Sequence, residues 1–332
     1  MPSLFTHYLC GHKCLALLNN KELKHMLNHY RQVFNLGTQG PDIFFYYRVW
    51  PWTNSCGLDA LGERIHEEHV NDFFSSALQY IMKQNTPDRD LLMIYLCGYA
   101  CHYSLDLFAH PYIFYKTGFV RQGEAPTSQY TYYHRRFETA VDVLMLKHIL
   151  TTTPCHLRGH ELIKVPHEAA LTIGKMYEYI LQQVFLQNIP APQTAHAIID
   201  MITVQSVLRD RSGLKKKLLY FTEQLLGHYP LMSSMIHPAS VKDGLDYLNM
   251  KHRSWHLPWD GSYTYTSTFI ELFDKAVLES AALSNIIYNC IMSKEDTPQG
   301  LKKIGNRSFS TGIDCRIPVV FQYYDCIFDS ES

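Results

Sequence analysis

The sequence predicts an all-α fold, a bundle of many helices followed by an irregular C-terminal tail. Apolar residues recur at helical spacing over most of the chain, whereas the alternation typical of strands is scarce. The chain has 332 residues, of which 46% are hydrophobic, enough for a large core. We therefore expect a single helical domain over residues 1–292, with its motifs within 1–150, and a tail over 293–332 packed on the helical body.

Helical periodicity is interrupted by clusters of turn residues. Gly, Pro and Asn predict loops at 36–42, 48–57, 122–127 and 189–192. From Ser293 onward the periodicity is lost, which predicts the irregular tail. The predicted helices span residues 11–34, 63–83, 88–110, 130–150, 166–188, 191–209, 213–227, 240–250 and 266–292.

Composition limits the partners and the compartment. The formal net charge is -1, so no basic field exists to hold a nucleic-acid backbone, and we do not expect nucleic acid as a partner. Nine cysteines without a C-x-x-C pair are typical of reduced thiols. Neither a cleavable leader nor an uninterrupted run of about 18 apolar residues is visible. We expect a cytoplasmic chain without a transmembrane segment, and the oligomeric state stays open.

The segment from His102 to His110 carries the strongest functional signal. His102, Asp106 and His110 follow at four-residue steps, so they share one face of a predicted helix. Because the preceding run 91–101 is apolar, a buried Asp106 needs a compensating partner, and a metal ion is one. At a rise of ~1.5 Å per residue, the two histidines are about 12 Å apart along the axis. One ion cannot reach both, so we expect two or more ions, with Asp106 able to bridge them.

A second pair with the same spacing lies downstream. His134 and Glu138 fall on one face of the next predicted helix, and two such helices facing each other would form a multinuclear site. The alternative is a metal-free network in which Asp106 pairs with Arg135 or Arg136. That alternative leaves the pair of His134 and Glu138 unexplained.

Three further candidates are ambiguous by themselves. Asp42 follows a Gly-Pro turn signal, and aspartate is also a common turn residue. His66 begins a His-Glu-Glu-His run, in which Glu67 or His69 can replace or assist it. His7 lies near Cys10, His12 and Cys14 in the sequence, but the spacing of these residues fits no common zinc module.

Six fragments nevertheless stand in a specific order: Pro2-Ser-Leu-Phe-Thr-His7, Leu36-Gly-Thr-Gln-Gly-Pro-Asp42, Gly62-Glu-Arg-Ile-His66, His102-x-x-x-Asp106, His110 and His134-x-x-x-Glu138. Together they resemble the zinc-dependent phospholipase C family, a multi-helix fold similar to that of P1-type nucleases. The resemblance covers residues 1 to about 142 by motif. It implies two or three zinc ions and hydrolysis of a phosphodiester by water that a metal cluster activates.

The resemblance also implies a role for each candidate residue. Asp42 would be the catalytic general base in addition to a metal ligand. The metals would activate water and neutralise charge that develops on the phosphodiester. One zinc would take Asp42, His66, His102 and Asp106, a second would take His110, His134 and Glu138, and a third would take His7 with Asp106 as the bridge.

The residues that would contact the substrate are less clearly indicated by the sequence. Ile43 stands where the family often has an aromatic residue that helps to hold a choline head group. Phe44, Phe45 or Tyr46 can substitute as a cation–π wall, but such a run is also typical of a core. We expect a phospholipid or another phosphodiester as substrate. Because no membrane-binding sandwich domain is visible after the helices, a soluble or dispersed substrate is favoured over an intact bilayer.

Other functions stay open at this point. The same cluster would suit a P1-type nuclease or phosphatase, and a non-catalytic, metal-stabilised helical protein would keep the same ligands. The aromatic segment 255–261 predicts either a lid over the site or a structural plug. The chain has no serine-nucleophile elbow, no phosphate-binding loop and no dinucleotide fingerprint.

Overall fold

Helices form almost all of the regular structure. The computed structural model describes residues 4–50, 53, 57–121, 123–125, 127–227, 229–293 and 296–329. Across these ranges a two-stranded antiparallel sheet is the only sheet, which confirms the all-α prediction. The helices are α1 (Leu4–Leu17), α2 (Lys21–His29), α3 (Arg31–Gly37), α4 (Leu58–Glu67), α5 (Val70–Met82), α6 (Asp88–Thr117), α7 (Ser128–Leu150), α8 (Gly159–Leu162), α9 (His167–Val184), α10 (Ala191–Leu208), α11 (Leu214–Leu225), α12 (Leu231–Ser234), α13 (Phe269–Ile291) and α14 (Thr297–Ile304), with a 3₁₀ helix at Gly40–Tyr46 and strands β1 (Trp255–Leu257) and β2 (Asp260–Tyr265).

Helix α6 is the axis of the core, and every residue from Leu92 to Leu107 is buried. Helix α3 packs against it at very short range because two glycines face each other. A Cβ at Gly37 would lie 2.2 Å from the carbonyl oxygen of Tyr95, and a Cβ at Gly98 would meet the α3 backbone equally closely, at 2.2 Å. This close approach brings the turn that follows α3 against α6.

The apolar character of α6 is explained by this packing. Among the described helices it is the one that is long and apolar enough to cross a membrane, with a mean hydropathy of 1.3 in its most apolar window. The rest of the chain buries 89% of that window.

Several predicted helix boundaries were wrong for local reasons. The segment predicted as one helix over 11–34 is divided among three helices. Asn20 caps the start of α2 by accepting the N–H of Leu23, and Tyr30, with φ of -97° and ψ of 37°, separates α2 from α3. The segment 63–83 is two helices, since His69 adopts a left-handed conformation with φ of 56°. Helix α6 continues past Pro111 to Thr117 instead of ending at residue 110.

The prediction of a helix over 240–250 is wrong, because this segment is irregular with isolated turns. Gly244 has φ of 76°, which interrupts a right-handed helix. Asp246 accepts the backbone N–H groups of Met250 and Lys251 at 2.8 and 2.9 Å, so a side chain satisfies donors that a helix would pair with carbonyls.

The aromatic segment 255–261 forms part of a β-hairpin and acts as a plug. Trp255 is 2% exposed and packs edge-on against Tyr112 of α6 at 5.3 Å between ring centroids. Its indole N–H donates to the carbonyl of Ser267 at 3.1 Å. Trp259 packs on Phe321 in the tail and does not line the cleft described below.

The tail is mostly irregular but begins with helix α14, which corrects one part of the prediction. From Gly305 to residue 329 it follows the helical body, with a single β-bridge between Arg307 and Asp314. Phe309 and Phe328 are both buried, so the tail contributes to the core.

Candidate metal centre

All the predicted metal ligands converge around one cleft. His102 is buried beneath a cleft, and the other predicted ligands line that cleft. Five elements supply them: His7 from α1, Asp42 from the 3₁₀ helix, His66 from α4, His102, Asp106 and His110 from α6, and His134 and Glu138 from α7.

Asp106 is at the centre of this arrangement, surrounded by four imidazoles. Its Oδ2 lies 3.1 Å from Nε2 of His102 and 3.9 Å from Nε2 of His66. Its Oδ1 lies 3.4 Å from Nε2 of His7 and 3.8 Å from Nε2 of His110. A single buried carboxylate is thus shared by ligands from three helices, the geometry of a bridging group.

Within the described residues, imidazoles and not an arginine neutralise Asp106, so the arginine pairing offered as a metal-free alternative is wrong. Arg135 donates to the carbonyl of Leu231 at 3.4 Å, and Arg136 pairs with Asp243 at 3.2 Å. In the described part of the chain, the ion-pair partners of Asp106 are imidazoles alone.

The potential ligands fall into three groups. In each group, ligand atoms lie within 4.8 Å of one another, close enough for one ion to reach all of them. His102 and His110 belong to different groups, which is the separation expected from their spacing along α6. The groups are His7 with His102 and Asp106, Asp42 with His66 and His102, and His110 with His134 and Glu138.

The orientation of the imidazoles fits metal binding. Three of them place Nδ1 against a backbone carbonyl, which selects the tautomer with a proton on Nδ1 and a lone pair on Nε2. These pairs are His66 with Gly62 at 2.7 Å, His102 with Thr38 at 3.2 Å and His110 with Phe309 at 3.1 Å.

This tautomer produces an electrostatic repulsion that a bound cation would remove. With Nδ1–H donated to a carbonyl, the Nε2 lone pair of His102 faces the negative oxygen of Asp106. The two repel unless a proton or a metal ion lies between them. His7 adds a further indication, since its buried Nδ1 has no hydrogen-bond partner among the described residues. The residues therefore fit bound metal ions.

The pKa shifts of the clustered groups differ in direction. Burial lowers the pKa of His110, but the carboxylates of Asp106 and Glu138 outweigh it and raise the pKa to about 9. For His7, burial and the neighbouring His102 lower the pKa to about 4. Although burial disfavours its charge, Asp106 keeps a depressed pKa because imidazoles surround it.

Asp42 is placed by a turn that requires glycine. Gly40 has φ of 54°, and a Cβ there would lie 2.3 Å from the ring of His102. The turn can therefore pass directly over the His102 ring and start the 3₁₀ helix that carries Asp42. The Asp42 carboxylate lies 3.3 Å from Nε2 of His66. Burial raises its pKa, but the neighbouring imidazoles of His66 and His102 outweigh this effect and lower it.

The aromatic wall is reduced to one of its three predicted members. Phe45 lines the cleft and stacks on His66 at 5.8 Å between ring centroids. Phe44 is buried edge-on against Tyr177, and buried Tyr46 accepts a hydrogen bond from Gln205. The prediction is corrected for these two residues, which belong to the core.

The two possible substitutes for His66 have other roles. Glu67 accepts hydrogen bonds from Ser308, at 2.6 Å, and from Ser310, so it holds the tail. His69 is exposed and pairs with Asp72 at 3.1 Å.

The tail residue Phe309 connects the two ends of the cluster, and sequence reasoning missed it. Its N–H donates to the carbonyl of His66 at 2.9 Å, and its carbonyl accepts from His110. Its ring packs against the imidazoles of His66 and His102. No spacing signal links residue 309 to the histidines, because the contact depends on how the tail folds back.

The cleft above the ligands has a volume of about 330 Å³. Its walls combine aromatic and acidic side chains that the motifs did not include. The aromatic ring of Phe114 adds to the wall formed by Phe45, and Ser310 of the tail also lines the cleft. Glu63 and Glu67 add negative charge to the rim.

A buried carboxylate between clustered imidazoles in a multi-helix bundle is typical of a metal-binding protein. Residues 6–185 match the family described as zinc dependent phospholipase C. This match covers more than half of the chain, which therefore belongs to the zinc-dependent phospholipase C family. It extends beyond the motifs to the end of α9 and includes all eight predicted ligands. Comparisons with curated proteins and with solved structures found no match.

Proposed function

We propose that this protein is a zinc-dependent phosphodiester hydrolase that acts on phospholipids in the manner of a phospholipase C. The main support is the carboxylate of Asp106, which four imidazoles share at the base of an open cleft. Membership of the family supports the same reaction class.

The residues are assigned to metals as the motifs imply. Asp42, His66, His102 and Asp106 would hold one zinc, His110, His134 and Glu138 would hold a second, and His7 together with Asp106 would hold a third. The three groups of neighbouring donor atoms support this assignment, with His102 also within reach of His7 and Asp106. Zinc ions bound there would supply a Lewis acid for the phosphoryl group and would lower the pKa of a water molecule.

Asp42 is the proposed general base. Its carboxylate lines the cleft, and its lowered pKa keeps it ionised, so it can accept a proton from water. The reaction adds water across the phosphorus–oxygen bond on the lipid side. The phosphoryl group gains the hydroxyl, and the proton goes to the departing diacylglycerol oxygen, which leaves a phosphorylated head group.

The aromatic wall positions the substrate. Phe45 packs on His66, and Phe114 packs on His110 and His134, so both rings border the proposed ligands and give the cleft an apolar wall. Glu63 lies on the same lining and gives the wall a negative charge, which suits a cationic head group better than a polyanion. This charge favours a phospholipid over the P1-type nuclease alternative.

The test is turnover of a chromogenic phosphodiester by the purified full chain. We expect activity that a chelator abolishes and zinc restores, and we expect Asp42→Asn to lose turnover. Phosphatidylcholine and single-stranded DNA, compared side by side, distinguish lipase from nuclease. Zinc-loaded protein that hydrolyses none of the three substrates would instead support the non-catalytic, metal-stabilised alternative.

A further inference from the structure

Helix α11 is a helix that the fold leaves uncovered. None of its residues is buried, although half of them are apolar. Leu214, Leu218, Phe221 and Leu225 are 67%, 68%, 65% and 76% exposed. Their steps of four, three and four residues place them in one stripe along the helix.

The polarity of α11 is reversed relative to an ordinary surface helix. Its polar ridge faces the protein: Lys216 donates to the carbonyls of Ser233 and Ile236, at 3.1 and 2.5 Å. Glu223 accepts the N–H groups of Met232 and Ser233 at the start of α12. Since these polar contacts fix the inner side, the apolar stripe is held outward, in water.

Positive charge accompanies the stripe. Arg211, Lys215 and Lys217 are exposed. Lys217 lies four residues before Phe221 and therefore borders the stripe, whereas the ammonium of Lys215 donates to the backbone carbonyls of Val207 and Arg209. The two acidic residues of the segment 209–226, Asp210 and Glu223, are both occupied by local hydrogen bonds. The outward face of α11 is therefore apolar and basic, with no exposed carboxylate within this segment.

The stripe is connected to the cleft through α12 and α7. Arg135 of α7 lines the wall that continues from Phe45 and His134, and it donates to the carbonyl of Leu231 in α12. Helix α12 in turn holds the inner ridge of α11 through Glu223. A surface that engages α11 is thus mechanically linked to the helix that carries His134 and Glu138.

We propose that α11 is an interfacial helix that docks the protein on a phospholipid membrane. Its leucines and phenylalanine would enter the boundary between head groups and acyl chains, and its basic side chains would meet lipid phosphates. The inference rests on the proposed function, since a lipid substrate is presented at such a surface. It replaces the expectation of a dispersed substrate, because a helix supplies what a separate sandwich domain would otherwise provide.

The experiment is co-sedimentation of the full chain with phosphatidylcholine vesicles, with and without phosphatidylserine. The variant is Leu218→Gln combined with Phe221→Gln, and the matched control is Leu278→Gln, a 63% exposed leucine on α13. We expect the double variant to lose about a hundredfold in vesicle partitioning, since each partly buried side chain is worth about tenfold. Lys217→Gln should weaken binding only when phosphatidylserine is present.

Hydrolysis readouts separate this inference from the proposed function. The double variant should keep its turnover of the soluble chromogenic phosphodiester and lose turnover of vesicle phosphatidylcholine. Vesicle binding by a protein that hydrolyses none of the substrates would overturn the proposed enzymatic function and support the docking role of α11. Equal partitioning of wild type and double variant would overturn the docking helix. A wild-type dimer that the double variant breaks, without vesicle binding, would also overturn it, because the stripe would then join two copies of the chain.

Discussion

The Nε2 atom of His237 lies 2.7 Å from the carboxylate of Asp142, and that same carboxylate holds the start of α1. It accepts the backbone N–H groups of Phe5 and Thr6 at 3.0 and 2.7 Å. Free N–H groups at the first turn of a helix need such an acceptor. Because His7 is the next residue, Asp142 determines where this imidazole meets Asp106.

Replacing Asp142 by asparagine should loosen the first turn of α1. An amide accepts hydrogen bonds more weakly and places an N–H group against the donors, so we expect a loss of about 1–3 kcal/mol in the free energy of unfolding. The zinc content should fall by the one equivalent that His7 is proposed to bind. Chemical denaturation and elemental analysis measure the two effects.

The matched control is Asp246→Asn, which changes a carboxylate that also accepts two backbone N–H groups but lies far along the chain from the ligands. It should leave the zinc content unchanged. Identical zinc content in both variants would show that Asp142 does not position His7.

Alanine at Asp106 should remove most of the bound zinc and all activity. The four imidazoles around it would lose their common carboxylate. Zinc ions bound close together would then repel one another with no negative charge between them. Elemental analysis of the folded variant is the measurement. A variant that retains the zinc content of the wild type contradicts the proposed centre.

Glu138→Gln should affect only part of the centre. Glu138 lies 3.2 Å from His134 and 3.7 Å from His110, and it is not in either group that contains His102. We expect the loss of one zinc equivalent, with the remainder bound as in the wild type. Loss of all the zinc would mean that the groups fill together and not independently.

The candidate ligands on α6 could be found from the sequence because their spacing is local to a helix. The four-residue steps of His102, Asp106 and His110 define one face before any fold is known, and burial of α6 then explains why Asp106 needs cations. Asp42 and His66 were reached only through the family resemblance, since a turn aspartate and a helix histidine have no distinctive spacing.

Contacts made by the tail and the uncovered face of α11 could not be predicted in this way. Phe309 reaches the histidines from more than 190 residues further along the chain, and only the folded path of the tail brings it there. The helical pattern of α11 predicts an apolar stripe but not its direction, which Lys216 and Glu223 determine through hydrogen bonds to α12 and the residues beyond it.

The protonation of His110 predicts a pH dependence of the metal-free protein. Its pKa is raised from 6.5 to about 9 on folding, so folded protein binds a proton that unfolded chain releases between these values. The stabilisation from this group is complete below pH 6.5 and is lost as the pH rises through about 9. The measurement is the free energy of unfolding of the chelated protein across this pH range, compared with that of the His110→Gln variant. The same pH dependence in both proteins would contradict the prediction.

The same proton opposes metal binding. Zinc must displace it from His110, so zinc uptake at a pH between 6.5 and 9 should release a proton and become tighter as the pH rises. Calorimetric titration in buffers of different ionisation enthalpy gives the number of protons released. Zinc binding with equal heat in every buffer would mean that His110 is neutral before the metal arrives.

Phe309→Ala tests whether the tail supports the metal centre. Removing the buried ring leaves a cavity beside His66 and His102, and we expect a loss of about 3–5 kcal/mol in the free energy of unfolding. Zinc affinity, measured by competition with a chelator under conditions where the variant is folded, should also fall, because the two imidazoles lose a packing partner. Phe328→Ala is the control, since this buried tail residue packs on Tyr133 and not on a ligand. The control should lose comparable stability and keep its zinc affinity, and equal affinities for the two variants would restrict Phe309 to a role in the core.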